Sequence, residues 1–189
     1  GPLSRLSEID VRGVQLRVLD EASGLDWIFT DVRANARLAD GVVETDFSGA
    51  LLTSAGMAPV ALNLRTDRTL AEVFLDLRVS GLVPAAAAPR RGPGVHFGRI
   101  DAPVSADLVL DASQTEGLRA ALLEIDAGQG TVRIGGGRSA SLDAAGLRLA
   151  FDTREGEIRL ERAELRSDAA AAEASGRLYD FSRFENALP

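Results

Sequence analysis

The chain has no cysteine, and among its 189 residues histidine, methionine, tryptophan and tyrosine occur once each. Without cysteine there is no disulfide framework and no redox clue to compartment. The lone His96 leaves no room for a zinc site or a histidine-based triad unless a partner chain completes one. Aromatics make up 5%, too few for platforms that stack bases or sugar rings. Positive charge is in deficit: 21 Lys plus Arg against 28 Asp plus Glu, a net charge of −7. That argues against nucleic acid as a partner, because phosphate binding rests on clustered cations. No run of about 18 apolar residues is present, so no segment spans a membrane as a helix. No secretory leader is visible either. Gly1-Pro2 reads as the scar of tag cleavage, which predicts a fragment of a longer protein.

What is present is apolar and regularly spaced. Hydrophobic residues make up 46% of the chain, enough for one globular or elongated domain. They alternate with polar ones at period two, the mark of half-buried strands. "LDWIFT" places Leu25, Trp27 and Phe29 on one face, and "DVRANARL" does the same for Val32, Ala34, Ala36 and Leu38. Asp40-Gly41 follows, a strong hairpin signal between alternating strands. Val43 and Phe47, Leu62 and Leu64, then Val73, Leu75 and Leu77 continue the pattern. So do Leu108 and Leu110, Leu147, Leu149 and Phe151, and Ile158 and Leu160. In "EIDVRGVQLRVLD" the parity switches at Gly13, which predicts a bulge there; "EIRLERAELRS" switches similarly after Leu160.

Strands recur roughly every 10 to 15 residues, and about eleven or twelve are expected. No amphipathic helix separates them, so an antiparallel meander is favoured over βαβ units. The proline-rich stretch 84–103 reads as a connection with one short helical turn near 84–88, dividing a first β half (3–83) from a second (104–180), with a tail at 181–189. After Ser167-Asp168 the alanine-rich sequence suits a capped helix. Yet Ala172, Ala174, Gly176 and Leu178 alternate with Glu173, Ser175 and Arg177, and the strand reading is preferred. Ser-Gly recurs in "FSGAL" (47–51), "VSGLV" (79–83) and "ASGRL" (174–178), which suggests one sheet-bending device used more than once.

Each chemical motif has a plainer account. "GQGTVRIGGGRS", 128–139, has Arg133 where a dinucleotide fingerprint needs its third glycine, and a strand follows rather than a helix. Two turns flanking a short strand with Val132 and Ile134 on one face explain it better. Asp152, Glu155, Glu157, Glu161 and Glu164 are interleaved with Arg154, Arg159, Arg162 and Arg166, which predicts an ion-paired solvated face rather than a glycosidase pair. His96 is expected to be exposed in its loop. Arg90 and Arg91 read as a solubilising tip that could also meet an anionic head group or an acidic partner.

The remaining feature is the one-sided apolar face, which a sheet must bury. A sandwich or barrel would bury it against itself, whereas a sheet curled into a trough would leave it lining a groove. The expected architecture is all-β: a long antiparallel meander curled into a trough or partly open barrel with an apolar interior.

Two stretches, "EIDVRGVQLRVLDEASGLDW" and "IDAPVSADLVLDASQTEGLRAALLEIDAGQGTVRI", resemble the AsmA-like superfamily of bacterial envelope proteins. Within it they are most similar to the YhdP-type central region, relatives of TamB. Such relatives tend to have a longer helical insert where this chain has "VPAAAAPRRGPG". The resemblance implies a periplasmic β-groove that conducts phospholipid between inner and outer membranes and serves outer-membrane biogenesis. It implies a parent anchored in the inner membrane, no cofactor, no metal and no enzymatic activity. The lipid contacts would then be Leu25, Trp27, Phe29, Val43, Phe47, Leu62, Leu64, Val73, Leu75, Leu77, Leu108, Leu110, Val132, Ile134, Leu147, Leu149, Phe151, Ile158 and Leu160. Two other readings stand beside this one. The first is a scaffolding β-domain that assists outer-membrane assembly and has a sealed apolar core. The second, and weaker, is a glycan-processing enzyme.

Overall fold

The computed structural model describes residues 8–134, 136–154 and 156–179. Gly1-Pro2, Glu155 and the 181–189 tail, each given a reading above, lie outside the described residues. Of the described residues, 73% are strand and 6% helix. The first half forms β1 (Glu8–Asp20), β2 (Leu25–Ala39), β3 (Val42–Thr53), β4 (Gly56–Asp67) and β5 (Glu72–Leu82). The connection holds α1 (Pro84–Ala87), a 3₁₀ segment (Pro93–Arg99) and β6 (Ile100–Asp101). The second half holds β7 (Val104–Ser113), β8 (Gly117–Ala127), β9 (Gly130–Ile134), β10 (Arg138–Leu142), β11 (Ala144–Asp152), β12 (Glu157–Arg166) and β13 (Ala171–Tyr179).

Ten of these strands make one antiparallel sheet in the order β1-β2-β3-β4-β5-β7-β8-β11-β12-β13. It curls into a trough and does not close into a barrel. The two β halves therefore share one sheet, joined where β5 pairs with β7. The other three strands form a small sheet, β10-β9-β6. The alanine-rich segment is the strand β13, and the short helical turn is α1.

Local chemistry sets the turns and bends. Asp40 and Gly41 both take positive φ, 53° and 83°, as the twist-matched two-residue hairpin between β2 and β3 requires. Gly13, at φ 65°, sits where the β1–β2 register shifts, so the parity switch in the sequence is a bulge. The switch in β12 is also a register shift, between Leu160 and Ala163. Each recurrent Ser-Gly lies at such a site. Gly49 faces the β2 irregularity between Thr30 and Arg33, Gly81 falls within the β5 shift between Val79 and Leu82, and Gly176 flanks the β12 shift.

The two excursions from the meander leave by the same edge. Residues 83–103 leave after β5 and residues 128–143 after β8, and they meet as the small sheet. Together with α1 they form a cap over that edge. Gly130 is fitted so closely into this cap that a Cβ there would lie 2.2 Å from the Asp101 carbonyl oxygen. The core sits under α1: Phe29, Val32, Leu51 and Ala58 are buried, with Trp27, Phe47, Val60, Leu82 and Ala87 packed against them. Trp27 Nε1 donates to the Ala87 carbonyl at 2.9 Å, tying the helical turn to β2. Phe29 stands edge-on between Trp27 and Phe47, with ring centroids 6.3 and 5.8 Å away.

Candidate functional site: an apolar face with one end capped

Cross-strand partners in an antiparallel sheet project from the same face, so register decides which side chains are brought together. One row runs across the whole sheet: Val11, Ala34, Phe47, Leu62, Leu77, Leu108, Leu123, Leu149, Leu160 and Gly176. Six consecutive members are leucine. The next row holds Leu64, Leu75, Leu110, Ala121, Phe151, Ile158 and Leu178. Toward the cap, Val60, Val79, Ala106, Ile125, Leu147, Ala163 and Ala174 form a third. Toward the opposite rim, Val43 and Val73 flank Thr66. Leu25, Trp27 and Phe29 belong to the same face at the capped end, Phe29 opposite Leu51.

This face is not sealed. Among the described residues the buried hydrophobics are Phe29, Val32, Leu51, Ala58, Ala102 and Leu142. The first four lie beneath α1, and Ala102 and Leu142 belong to the cap. None of the six leucines is among them; each stays partly exposed. At the free edges exposure rises, to 49% at Ile9 and 49% at Leu178.

Seventeen of the nineteen expected groove residues share this face. The other two, Val132 and Ile134, lie in the small sheet, where Val132 pairs with Ile100 and Ala140, and Ile134 with Arg138. Their alternation matches that of the main strands, but alternation assigns a side chain to a face and not to a sheet. Sequence reading passed over Leu123 and Ile125. In "LRAALLEI" Leu122 and Leu123 are both apolar, which blurs the period. Leu122 turns to the opposite face beside Val109 and Ala150, so the outer side of β7, β8 and β11 is itself partly apolar.

The outer face elsewhere is polar and paired. Asp10, Asn35, Asp46, Asn63 and Asp76 form one row across β1 to β5, with Asn63 Nδ2 donating to Asp46 at 2.7 Å. A cleft of about 1040 Å³ lies on this side, lined by that row with Arg12, Arg33 and Arg78. Over β8, β11 and β12, Arg148 reaches Glu161 at 2.8 Å and Glu124 at 3.3 Å, Arg162 reaches Asp126 at 2.5 Å, and Arg159 reaches Glu157 at 3.0 Å. Of the interleaved set, Glu157, Glu161 and Glu164 with Arg159, Arg162 and Arg166 join this ion-paired lattice, in which Glu157 is buried rather than solvated. His96 is exposed on the 3₁₀ segment.

Comparison with protein-family models, curated proteins and solved structures finds no match to this chain.

Proposed function

We propose that this chain is a segment of a periplasmic hydrophobic β-groove that conducts phospholipid between the inner and outer membranes, within a parent anchored in the inner membrane. The observation that carries the reading is the unsealed row of six leucines, in register from β4 to β12. An aliphatic face of this breadth, left partly exposed, is unusual for a protein in water unless something apolar covers it. Acyl chains fit: each methylene moved from water onto the face contributes about 0.8 kcal/mol. Transport would be passive sliding along the face, with no catalytic residue and no cofactor. The same partly exposed leucines weigh against the alternative of a scaffolding domain with a sealed core.

The test is lipid extraction and native mass spectrometry of the purified protein, with Leu75→Asp and Leu108→Asp compared in the full-length parent. Phospholipid should copurify with the unmodified chain and diminish in both variants, with envelope lipid balance disturbed. Absence of lipid, together with folded variants that leave envelope function intact, would sink the reading.

A further inference from the structure

Charge is divided unevenly between sheet and cap. The chain has no lysine, so all 21 cations are arginines. On the main sheet most are matched by carboxylates, as at Arg17–Asp26 and Arg119–Glu72, 2.7 and 2.6 Å apart. In the cap the pattern reverses. Residues 83–103 and 128–143 contain five arginines and two acids, Asp101 and Asp143, a net +3 within a chain of −7. The remainder is therefore −10. None of Arg90, Arg91, Arg99, Arg133 and Arg138 has a carboxylate within 4.0 Å among the described residues.

Three of these arginines converge. Arg99, Arg133 and Arg138 line a cleft of about 490 Å³ between α1 and the β9–β10 hairpin, and no carboxylate lines it. Arg133 is anchored there by donating from Nη2 to the Gly98 carbonyl. The other walls are largely apolar, including Ala88, Pro89, Val95 and Ile134. Guanidinium groups gathered without counter-ions repel one another, and a bound anion relieves that repulsion. Arginine's planar fork suits phosphate oxygens in particular. The apolar walls add a second requirement, that the phosphate carry hydrocarbon. Position adds a third: Ala87, between the cleft-lining Ala85 and Ala88, packs on the buried cluster that closes this end of the apolar face.

We propose that this cleft binds the phosphate head group of an anionic phospholipid, with the glycerol and first acyl carbons against Pro89, Val95 and Ile134. The proposal rests on the lipid-groove reading and adds head-group selectivity to it. A zwitterionic head group is disfavoured because its ammonium meets the same three cations.

The test uses amide NMR shifts during titration with dihexanoyl phosphatidylglycerol, dihexanoyl phosphatidylcholine and inorganic phosphate. The glycerol lipid should shift Gly98, Arg99, Arg133 and Arg138 and bind about fivefold more tightly than the choline lipid, as two exposed charge contacts allow. The preference should shrink in high salt. An Arg99→Gln/Arg138→Gln variant, which spares the Arg133 anchor, should lose the preference and keep its binding of the choline lipid. Equal affinity for the two lipids, shifts remote from the cleft, or a preference that survives in the variant would each overturn the proposal. So would inorganic phosphate binding as tightly as the glycerol lipid, since the apolar walls would then contribute nothing. Failure of the groove reading gives a different result: Leu75→Asp and Leu108→Asp would leave choline-lipid binding unchanged, whatever the arginine variant does.

Discussion

An open apolar face and a sealed core respond differently to the same truncation, and Leu51 and Leu108 form a matched pair for the comparison. Leu51 is 2% exposed, packed under α1 with Phe29, Val32 and Ala58. Leu51→Ala removes buried methyl groups and leaves a cavity, at a cost of about 3 to 4 kcal/mol. Leu108 lies between Leu77 and Leu123 on the uncovered face. Solvent already reaches that site, so Leu108→Ala loses part of the transfer free energy and creates no sealed void, at about 1 to 2 kcal/mol. Urea unfolding of the lipid-free protein measures both. With a slope of about 2 kcal/mol per molar, the midpoint should fall by about 1.5 to 2 M for Leu51→Ala and about 0.5 to 1 M for Leu108→Ala. Equal losses at unchanged slope would refute the reasoning, because they would mean that the leucine row is as fully buried as the core.

Two further outcomes follow from the cap and the turns. Gly130→Ala forces a Cβ against the Asp101 carbonyl, so β6 should separate from β9 and the amides around Ile100 and Val132 should lose hydrogen-exchange protection while the ten-stranded sheet keeps its own. Asp67 accepts hydrogen bonds from the Thr69 hydroxyl at 2.5 Å and from the amide of Ala71 at 2.6 Å, chiefly the former holding its carboxyl below the ordinary value of 3.8. Asp20 is lowered likewise, first by the Ser23 hydroxyl and then by the Ala22 amide. A carboxylate with a depressed folded-state value stabilises the fold above about pH 4, and that contribution is lost as pH falls through the folded value. Thermal unfolding should therefore drop below about pH 4, with a smaller drop in Asp67→Asn; a melting temperature that rises on acidification would contradict this.

Much of the fold is legible from period-two spacing alone, because each main strand has one face toward the trough and one toward water. Asp40-Gly41 marks its hairpin and Gly13 its bulge because few residues other than glycine and Asn or Asp tolerate those backbone angles. The strand β13 is legible despite its alanines, because small residues at every second position still mark a face. The site is less so. Val132 and Ile134 alternate correctly but belong to another sheet, a fact fixed by pairing with Ile100, some thirty residues earlier. Leu123 escapes notice because Leu122 beside it is also apolar, on the outer face. The arginine cleft draws on three separate segments, and no single stretch of sequence brings Arg99, Arg133 and Arg138 together.

The leucine row has a consequence for motion. Neighbouring strands lie about 4.8 Å apart, so from β4 to β12 the face repeats one side chain at a nearly constant step. A hydrocarbon lying across these strands gains at each new leucine what it gives up at the last, so the energy along its path is nearly level. Under the lipid-groove proposal, such a surface would hold an acyl chain firmly against escape into water and only weakly against displacement along the row. At β13 the row reaches Gly176, which has no side chain to offer. The run of leucines ends there.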